Sequence, residues 1–324
     1  MTLNKLFFYV ILTACLQAGT AFADHPGQEQ FIRQAVDEFG MDAAEVKALL
    51  AKAEFKQSVI DAITRPAEAK PWHEYRPIFL TKKRIRQGVD FWQEHRATIA
   101  EASRRFGVDE AIIVAIIGVE TSYGRITGSY RVLDALTTLG FYYPQRAGFF
   151  SGELLQFFKL ATEEDLPMLE VLGSYAGAMG LGQFIPSSYR AYAVDFDSDG
   201  SRDLWRSVDD AIGSVANYLH QHQWHAGEKI VLLAVRHKDA KTLPEMGIKP
   251  ESTAGELASA GYLTALAPAS DTPVSLLELE QRSGTEYWLT LHNFYVITRY
   301  NRSPLYAMAV YQLSQEITAE MSRQ

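Results

Sequence analysis

The sequence predicts a mainly α-helical protein with a small β-containing insertion late in the chain. Three observations carry that expectation. Apolar residues recur at helical spacing from Gln28 to about Ala111, the run Ile112 to Val119 is apolar throughout, and strand-like alternation is confined to the stretch after Gly227. The 324 residues are 47% apolar, which is ample for a sizeable core. A net charge of -8 with no long basic run argues against a nucleic-acid partner.

The first element is a leader rather than part of the fold. Lys5 precedes the apolar run Leu6 to Leu16, and Ala21-Phe22-Ala23 before Asp24 has the small-x-small form of a signal-peptidase site. Cleavage there sends the mature chain to the periplasm. Leu12-Thr13-Ala14-Cys15 also matches a lipobox, so an outer-membrane lipoprotein anchored through Cys15 is the alternative. Leu16 is a poor residue to follow a lipidated cysteine, which favours cleavage after Ala23. Cys15 is the only cysteine, so the mature body has no disulfide and no thiolate metal site. No other stretch approaches the roughly 20 apolar residues of a membrane helix.

Phe31, Ala35, Val36 and Phe39 mark a first amphipathic helix ended by Gly40, and Met41-Asp42 opens a second through Val46, Leu49 and Leu50. Pro66 and Pro71 then break the chain. Pro71 to Leu80, with Trp72, Tyr75 and Phe79 between prolines and charges, reads as an extended strap over a surface. Helices resume at Lys82 to His95 and Ala97 to Phe106. Val108-Asp109 caps the apolar helix that follows.

That helix ends in Val119-Glu120-Thr121-Ser122-Tyr123-Gly124. A carboxylate closing so apolar a segment is costly to bury charged, so it belongs at a cleft wall with a raised pKa, as a general acid requires. The alternative is a helix end pointing to solvent. Val132 to Leu139 and Phe149 to Leu160 are further helices around the aromatic corner Phe141 to Pro144.

Gly173, Gly177, Gly180 and Gly182 then fall within ten residues. Their missing side chains suit a groove floor where a ligand or backbone comes close. No strand precedes them and no Gly-Lys-Ser/Thr follows, so neither a nucleotide nor another organic cofactor is indicated.

Asp195-Phe196-Asp197-Ser198-Asp199-Gly200 opens like an EF-hand loop, with oxygen ligands at positions one, three and five and Gly at six. The twelfth position departs from the pattern, being Arg206 rather than Glu. Asp209 or Asp210 must close the shell, and a structural calcium is expected. Helix Asp210 to His222 follows. His222 and His225 alone among its histidines are spaced to share a ligand, and helix-end histidines are the plainer reading.

After Gly227 come a strand at Lys229 to Val235, a short helix at Thr253 to Ala260, and paired strands Leu276 to Glu280 and Tyr287 to Leu291. The chain returns to helix from Val296 to Gln315. It carries Arg299-Tyr300-Asn301-Arg302 and Tyr306, and such rings and amides suit a sugar groove or an ordinary half-buried core equally.

V-E-T-S-Y-G, G-S-Y-A-G-A-M-G-L-G-Q-F-I-P-S-S-Y, D-F-D-S-D-G-S-R-D-L-W, D-A-I-G-S-V-A-N-Y-L and I-T-R-Y-N-R-S-P-L-Y-A-M-A-V, in this order, resemble the lytic murein transglycosylase B family, glycoside hydrolase family 103. The similarity runs over nearly all the mature chain. It implies a lysozyme-like helical catalytic core, and with it a division into leader 1-23, N-terminal helical region 24-107, core with EF-hand-like loop 108-226, β-containing insertion 227-292, and a C-terminal helix 293-324 completing the core. It implies Glu120 as sole catalytic acid and base. Ser174, Met179, Gln183, Phe184, Tyr218, Tyr300, Asn301 and Tyr306, with Tyr75 and Arg146, would bind substrate. Asp195, Asp197, Asp199 and Ser201, with Asp210 favoured over Asp209, would hold the metal. The implied partners are peptidoglycan glycan strands, and other cell wall enzymes are possible ones, for a protein acting as a monomer.

The implied reaction explains how one carboxylate suffices. Ordinary glycosidases need two. No second carboxylate stands beside Glu120 in sequence, although distant ones such as Glu153 could fold close. In the implied scheme Glu120 protonates the oxygen between N-acetylmuramic acid and N-acetylglucosamine. As a base it then takes the proton of the muramoyl C6 hydroxyl, which closes on C1 to give a 1,6-anhydro end. A hydrolytic muramidase and a non-catalytic glycan-binding protein are the alternatives.

Overall fold

The computed structural model describes residues 25–65 and 69–323. The expected leader and Cys15 lie outside the described residues. Among the described residues no helix is long and apolar enough to cross a membrane.

The N-terminal part is helical, with α1 (Gln28–Phe39), α2 (Ala43–Leu50), α3 (Gln57–Ile63), α4 (Trp72–Phe79), α5 (Lys82–Glu94) and α6 (Arg96–Phe106). The expected entry to α2 is present: the Asp42 side chain accepts the Glu45 amide. The expected strap is instead the helix α4. Trp72, Tyr75 and Phe79 are spaced to share one helical face, and Trp72 and Tyr75 are buried by it. Pro71 precedes the first turn harmlessly, and Pro77 costs a helix this short a single backbone bond.

At the centre lies α7 (Glu110–Thr121), with nine of its twelve residues buried. A helix apolar on every side is stable only when neighbours cover every side. Here α5, α6, α11 (Val208–Gln221) and α14 (Pro304–Met321) do so. Asp109 stands at its N-cap as expected, but the carboxylate makes no capping bond. The hairpin α8 (Val132–Tyr142) and α9 (Ala147–Glu163) packs alongside α3 and α1, and α10 (Pro186–Tyr192) sits on α9.

Two short strands, β1 (Tyr130–Arg131) and β2 (Leu172–Gly173), pair antiparallel at the edge of the glycine-rich stretch. The insertion is a five-stranded antiparallel sheet in the order β4 (Ser252–Thr253), β6 (Pro273–Glu280), β7 (Thr285–Thr290), β3 (Val231–Arg236), β5 (Tyr262–Thr264). The expected hairpin is β6 with β7, paired from Ser275 with Thr290 to Glu280 with Thr285. One sheet face and α12 (Ala254–Ser259) enclose a small core of their own around Leu257, Tyr262, Val274 and Leu289.

The single C-terminal helix expected from Val296 to Gln315 is two, α13 (His292–Tyr300) and α14. The break has a legible cause. Ser303 caps α14 by accepting the Tyr306 amide, and Pro304 occupies its first turn, where no amide hydrogen is needed. The break leaves Asn301 extended between the helices.

Candidate active site

Glu120 lies in the last turn of α7, half-buried where its neighbours are fully buried. The chain leaves that helix through three successive left-handed residues, Ser122, Tyr123 and Gly124. Thr121 locks the turn: its hydroxyl accepts the Gly124 amide at 2.9 Å and donates to the Leu181 carbonyl at 3.0 Å. The helix end that presents Glu120 is thereby tied to the glycine-rich stretch. Tyr306, at the start of α14, donates its hydroxyl to Glu120 Oε1 at 2.5 Å. Burial and the nearby Glu120 charge push the Tyr306 phenol well above its ordinary pKa, so it stays a donor at any physiological pH. Tyr300 is raised in the same way, by burial first and by Glu120 second. Tyr75, fully buried on α4, is near enough to add a smaller electrostatic push to Tyr306.

The glycine-rich stretch folds back on itself. Gly173 bridges to Met179 and Met179 to Phe184. Two glycines are demanded by close approach: a Cβ on Gly180, whose φ is +69°, would lie 2.4 Å from the Leu204 carbonyl oxygen, and one on Gly182 would lie 3.0 Å from the Tyr300 hydroxyl. Tyr300 donates to the Gly182 carbonyl at 2.5 Å, fastening this floor to the end of α13. Gln183, itself left-handed at φ 52°, uses its side-chain amide on the Thr127 and Gly180 carbonyls.

Beside Glu120 opens a cleft of 930 Å³, which meets it through Tyr300. Of the residues expected to bind substrate, Arg146, Gln183, Phe184, Tyr218, Tyr300 and Asn301 line it. Phe184, Tyr218 and Tyr300 form one aromatic wall, with the Tyr218 and Tyr300 rings 4.7 Å apart. Arg146 lies over the Phe149 ring at 4.3 Å. Ser174 and Met179 do not reach this lining. The Ser174 hydroxyl accepts the Ala176 and Ala178 amides inside its turn, and Met179 is fully buried.

Sequence reasoning passed over other lining residues, including Arg299, Arg302, Ser187 and His222. His222 stacks on Tyr218 at 4.2 Å, and burial lowers its pKa, so it faces the cleft uncharged at neutral pH. His225 instead stacks on His292 at 4.0 Å and bonds Glu228, so the two histidines do not share a ligand. The arginines gave one usable signal, their place on either side of Tyr300-Asn301.

Glu153 is engaged at the start of α10. Its two oxygens accept the Ser187 amide at 2.9 Å and the Ser187 hydroxyl at 2.7 Å, holding the start of α10. Burial raises its pKa despite those bonds. The native state therefore keeps this proton to higher pH than the unfolded chain. Its contribution to stability is full below the unfolded value of 4.5 and is lost as pH rises through the native one. Glu153→Gln should remove that part of the slope, which melting temperatures of both forms across pH 4 to 7 would show (a window of roughly two or three pH units).

Behind the floor, carboxylate oxygens of Asp195, Asp197 and Asp210 all lie within 4.8 Å of one another, the one such cluster among the described residues. Asp210 is fully buried; burial, then the neighbouring Asp197 charge, act to raise its pKa against bonds from the Phe196 and Asp203 amides. Asp209 turns elsewhere and accepts the Thr98 hydroxyl at 2.7 Å. The Asp199 carboxylate accepts the Ser201 amide at 2.9 Å and stands outside the cluster of three. Three converging carboxylates, two from the loop and one from the first turn of α11, fit a hard divalent cation, which relieves their repulsion. The loop also supports the floor, because the Leu204 carbonyl accepts the Leu181 amide at 2.8 Å.

Residues 23–315 match the family model of the transglycosylase SLT domain. The chain belongs to this transglycosylase family. It is 43% identical over 312 residues to the membrane-bound lytic murein transglycosylase B of Escherichia coli K12, covering 93% of this chain and 85% of that protein. Among solved structures it is similar to the catenated lytic transglycosylase SltB1 of Pseudomonas aeruginosa, at 49% identity and a TM-score of 0.87 over 92% of this chain and 99% of that one. It is also similar to E. coli lytic transglycosylase Slt35 in complex with calcium, at 42% identity and a TM-score of 0.85 over 93% and 96% of the two chains. The expected lysozyme-like helical core with its small sheet is thus the fold of this transglycosylase.

Proposed function

We propose that this chain is a lytic transglycosylase that cleaves the β-1,4 bond between N-acetylmuramic acid and N-acetylglucosamine in peptidoglycan, with Glu120 as its acid and then its base. The observation that carries the assignment is the Tyr306 to Glu120 hydrogen bond, close to the cleft residue Tyr300. It fixes the orientation of the Glu120 carboxyl through Oε1. The aromatic wall of Phe184, Tyr218 and Tyr300 supports stacking on sugar rings, and the Asn301 amide in the same lining supports bonding to hydroxyl and acetamido groups.

The first proton passes from Glu120 to the glycosidic oxygen as the bond to C1 breaks. The substrate's own acetamido oxygen shelters the positive C1. Glu120, now ionised, removes the C6 hydroxyl proton, and C6 oxygen closes on C1. No water enters the products. A hydrolytic muramidase would add one water, so mass spectrometry of the muropeptides released from purified murein decides between them. Anhydro ends support the transglycosylase, and reducing ends alone would defeat it. Tyr306→Phe keeps the buried ring and removes the donor, and a loss of about tenfold in kcat with KM nearly unchanged is expected.

For the metal, the reading is a structural calcium at Asp195, Asp197, Asp199, Asp210 and the Ser201 carbonyl, supported by the converging carboxylates and by the calcium complex of the E. coli relative. For location it is export, with release to the periplasm after Ala23 or retention through a lipid on Cys15. The separate small core of the sheet supports treating 227-292 as an insertion in the catalytic body.

A further inference from the structure

A second cavity, of 720 Å³, lies where the loops of the sheet insertion meet the start of α13. Its lining is aliphatic and proline-rich, with Leu232, Pro250, Leu266 and Pro273, and it has a single aromatic residue besides the histidines, Tyr295. Lys229 and Lys249 stand at it with Glu228 and Asp271. This is not a sugar platform. Methyl-bearing side chains and carboxylates fit such a lining better than hydroxyls do.

The cavity and the cleft are separate, and α13 runs from one to the other. Tyr295 lines the cavity and Arg299 the cleft, and four residues apart on α13 they share one face about 6 Å along the axis. His292 and His225, both in the cavity lining, tie the start of α13 to the segment after α11. His292 Nε2 bonds the Gln223 carbonyl at 2.6 Å, next to the cleft residue His222, and His225 stacks on His292.

Charge distinguishes this path from the rest of an acidic chain. The two linings together carry five cationic residues, Arg146, Arg299, Arg302, Lys229 and Lys249, against the acids Glu228 and Asp271. Glu228 is already bonded to His225. Among the described residues no ion pair neutralises Lys229 or any of the three arginines. Lys249 lies 4.0 Å from Glu251, so the unpaired cations are Lys229 in the cavity and the three arginines in the cleft. Such a run with an aliphatic pocket at its end complements a short peptide carrying carboxylates and small apolar side chains.

We propose that this cavity holds the peptide stem of the substrate, which reaches it from the muramoyl unit in the cleft along the Arg299 and Tyr295 face of α13. The inference rests on the peptidoglycan reading above, because that substrate carries such a peptide on its muramoyl lactyl group. It adds a subsite outside the glycan groove and makes the enzyme discriminate between peptide-bearing and bare glycan.

The test compares murein carrying its stems with the same glycan stripped of them by an amidase, for the wild type and for the double variant Lys229→Glu, Lys249→Glu. Both lysines are exposed, so the fold is not at risk. The reversal should lower kcat/KM on peptide-bearing glycan by roughly fivefold and leave the stripped glycan within about twofold. Equal changes on the two substrates, or none on either, would overturn the subsite while the transglycosylase stands. Failure of the wild type to form anhydro ends from either glycan would overturn the functional reading and the subsite with it.

Discussion

Glu120→Gln should abolish release of anhydromuropeptides, lowering turnover by about 10³-fold or more while leaving glycan binding intact. The amide has nearly the shape of the carboxyl, and its carbonyl can still accept the Tyr306 hydroxyl that Glu120 Oε1 accepts at 2.5 Å. The cleft beside it is therefore preserved. What is lost is a transferable proton, needed once to expel the leaving sugar and again, in reverse, to free the C6 oxygen. Because both half-reactions use the same group, no partial activity from one of them should remain. Binding of a glycan oligomer by calorimetry, alongside product analysis, separates a chemical defect from a folding one. Turnover of the variant near the original rate would remove Glu120 from the mechanism. The contrast with Tyr306→Phe is informative, since that change only loosens the carboxyl and should cost far less.

Removal of calcium should lower the melting temperature reversibly by roughly 5 °C, on the view that an ion present at about 100 times its dissociation constant contributes about 2.7 kcal/mol. The physical source is the crowding of three carboxylates whose oxygens lie within 4.8 Å. Without a cation they repel, and the buried Asp210 is the least able to relax. Asp210→Asn should erase most of the response to chelator, whereas Asp209→Asn, which touches the Thr98 hydroxyl instead, should leave it in place. An identical melt with and without chelator would count against the site. Because the Leu204 carbonyl holds the Leu181 amide, and Gly180 packs against the same carbonyl, the chelated protein should also lose activity before it unfolds.

Much of the fold was legible because its signals are local. The apolar run of α7 could only be a helix covered on all sides, and its covering by α5, α6, α11 and α14 followed. Asp42, Gly40 and the β6 to β7 alternation marked their elements directly. The errors were also local, and each had a competing rule. Prolines at 71 and 77 outweighed the helical spacing of Trp72, Tyr75 and Phe79, although burial of those rings won in the folded chain. The apolar continuity of the C-terminal stretch hid a break that Ser303 and Pro304 had announced.

The sequence by itself singled out Glu120, the glycine-rich stretch and the acidic loop, because each depends on residues spaced within one turn or one loop. Only the tertiary structure decided that Tyr306 is the partner of Glu120, 186 residues away in the chain. It likewise decided that Asp210 rather than Asp209 joins the acidic cluster, and that Arg299, Arg302 and His222 line the cleft. Such choices turn on which side of a helix meets another helix. That is fixed by packing across the whole core, and spacing along one segment does not contain it.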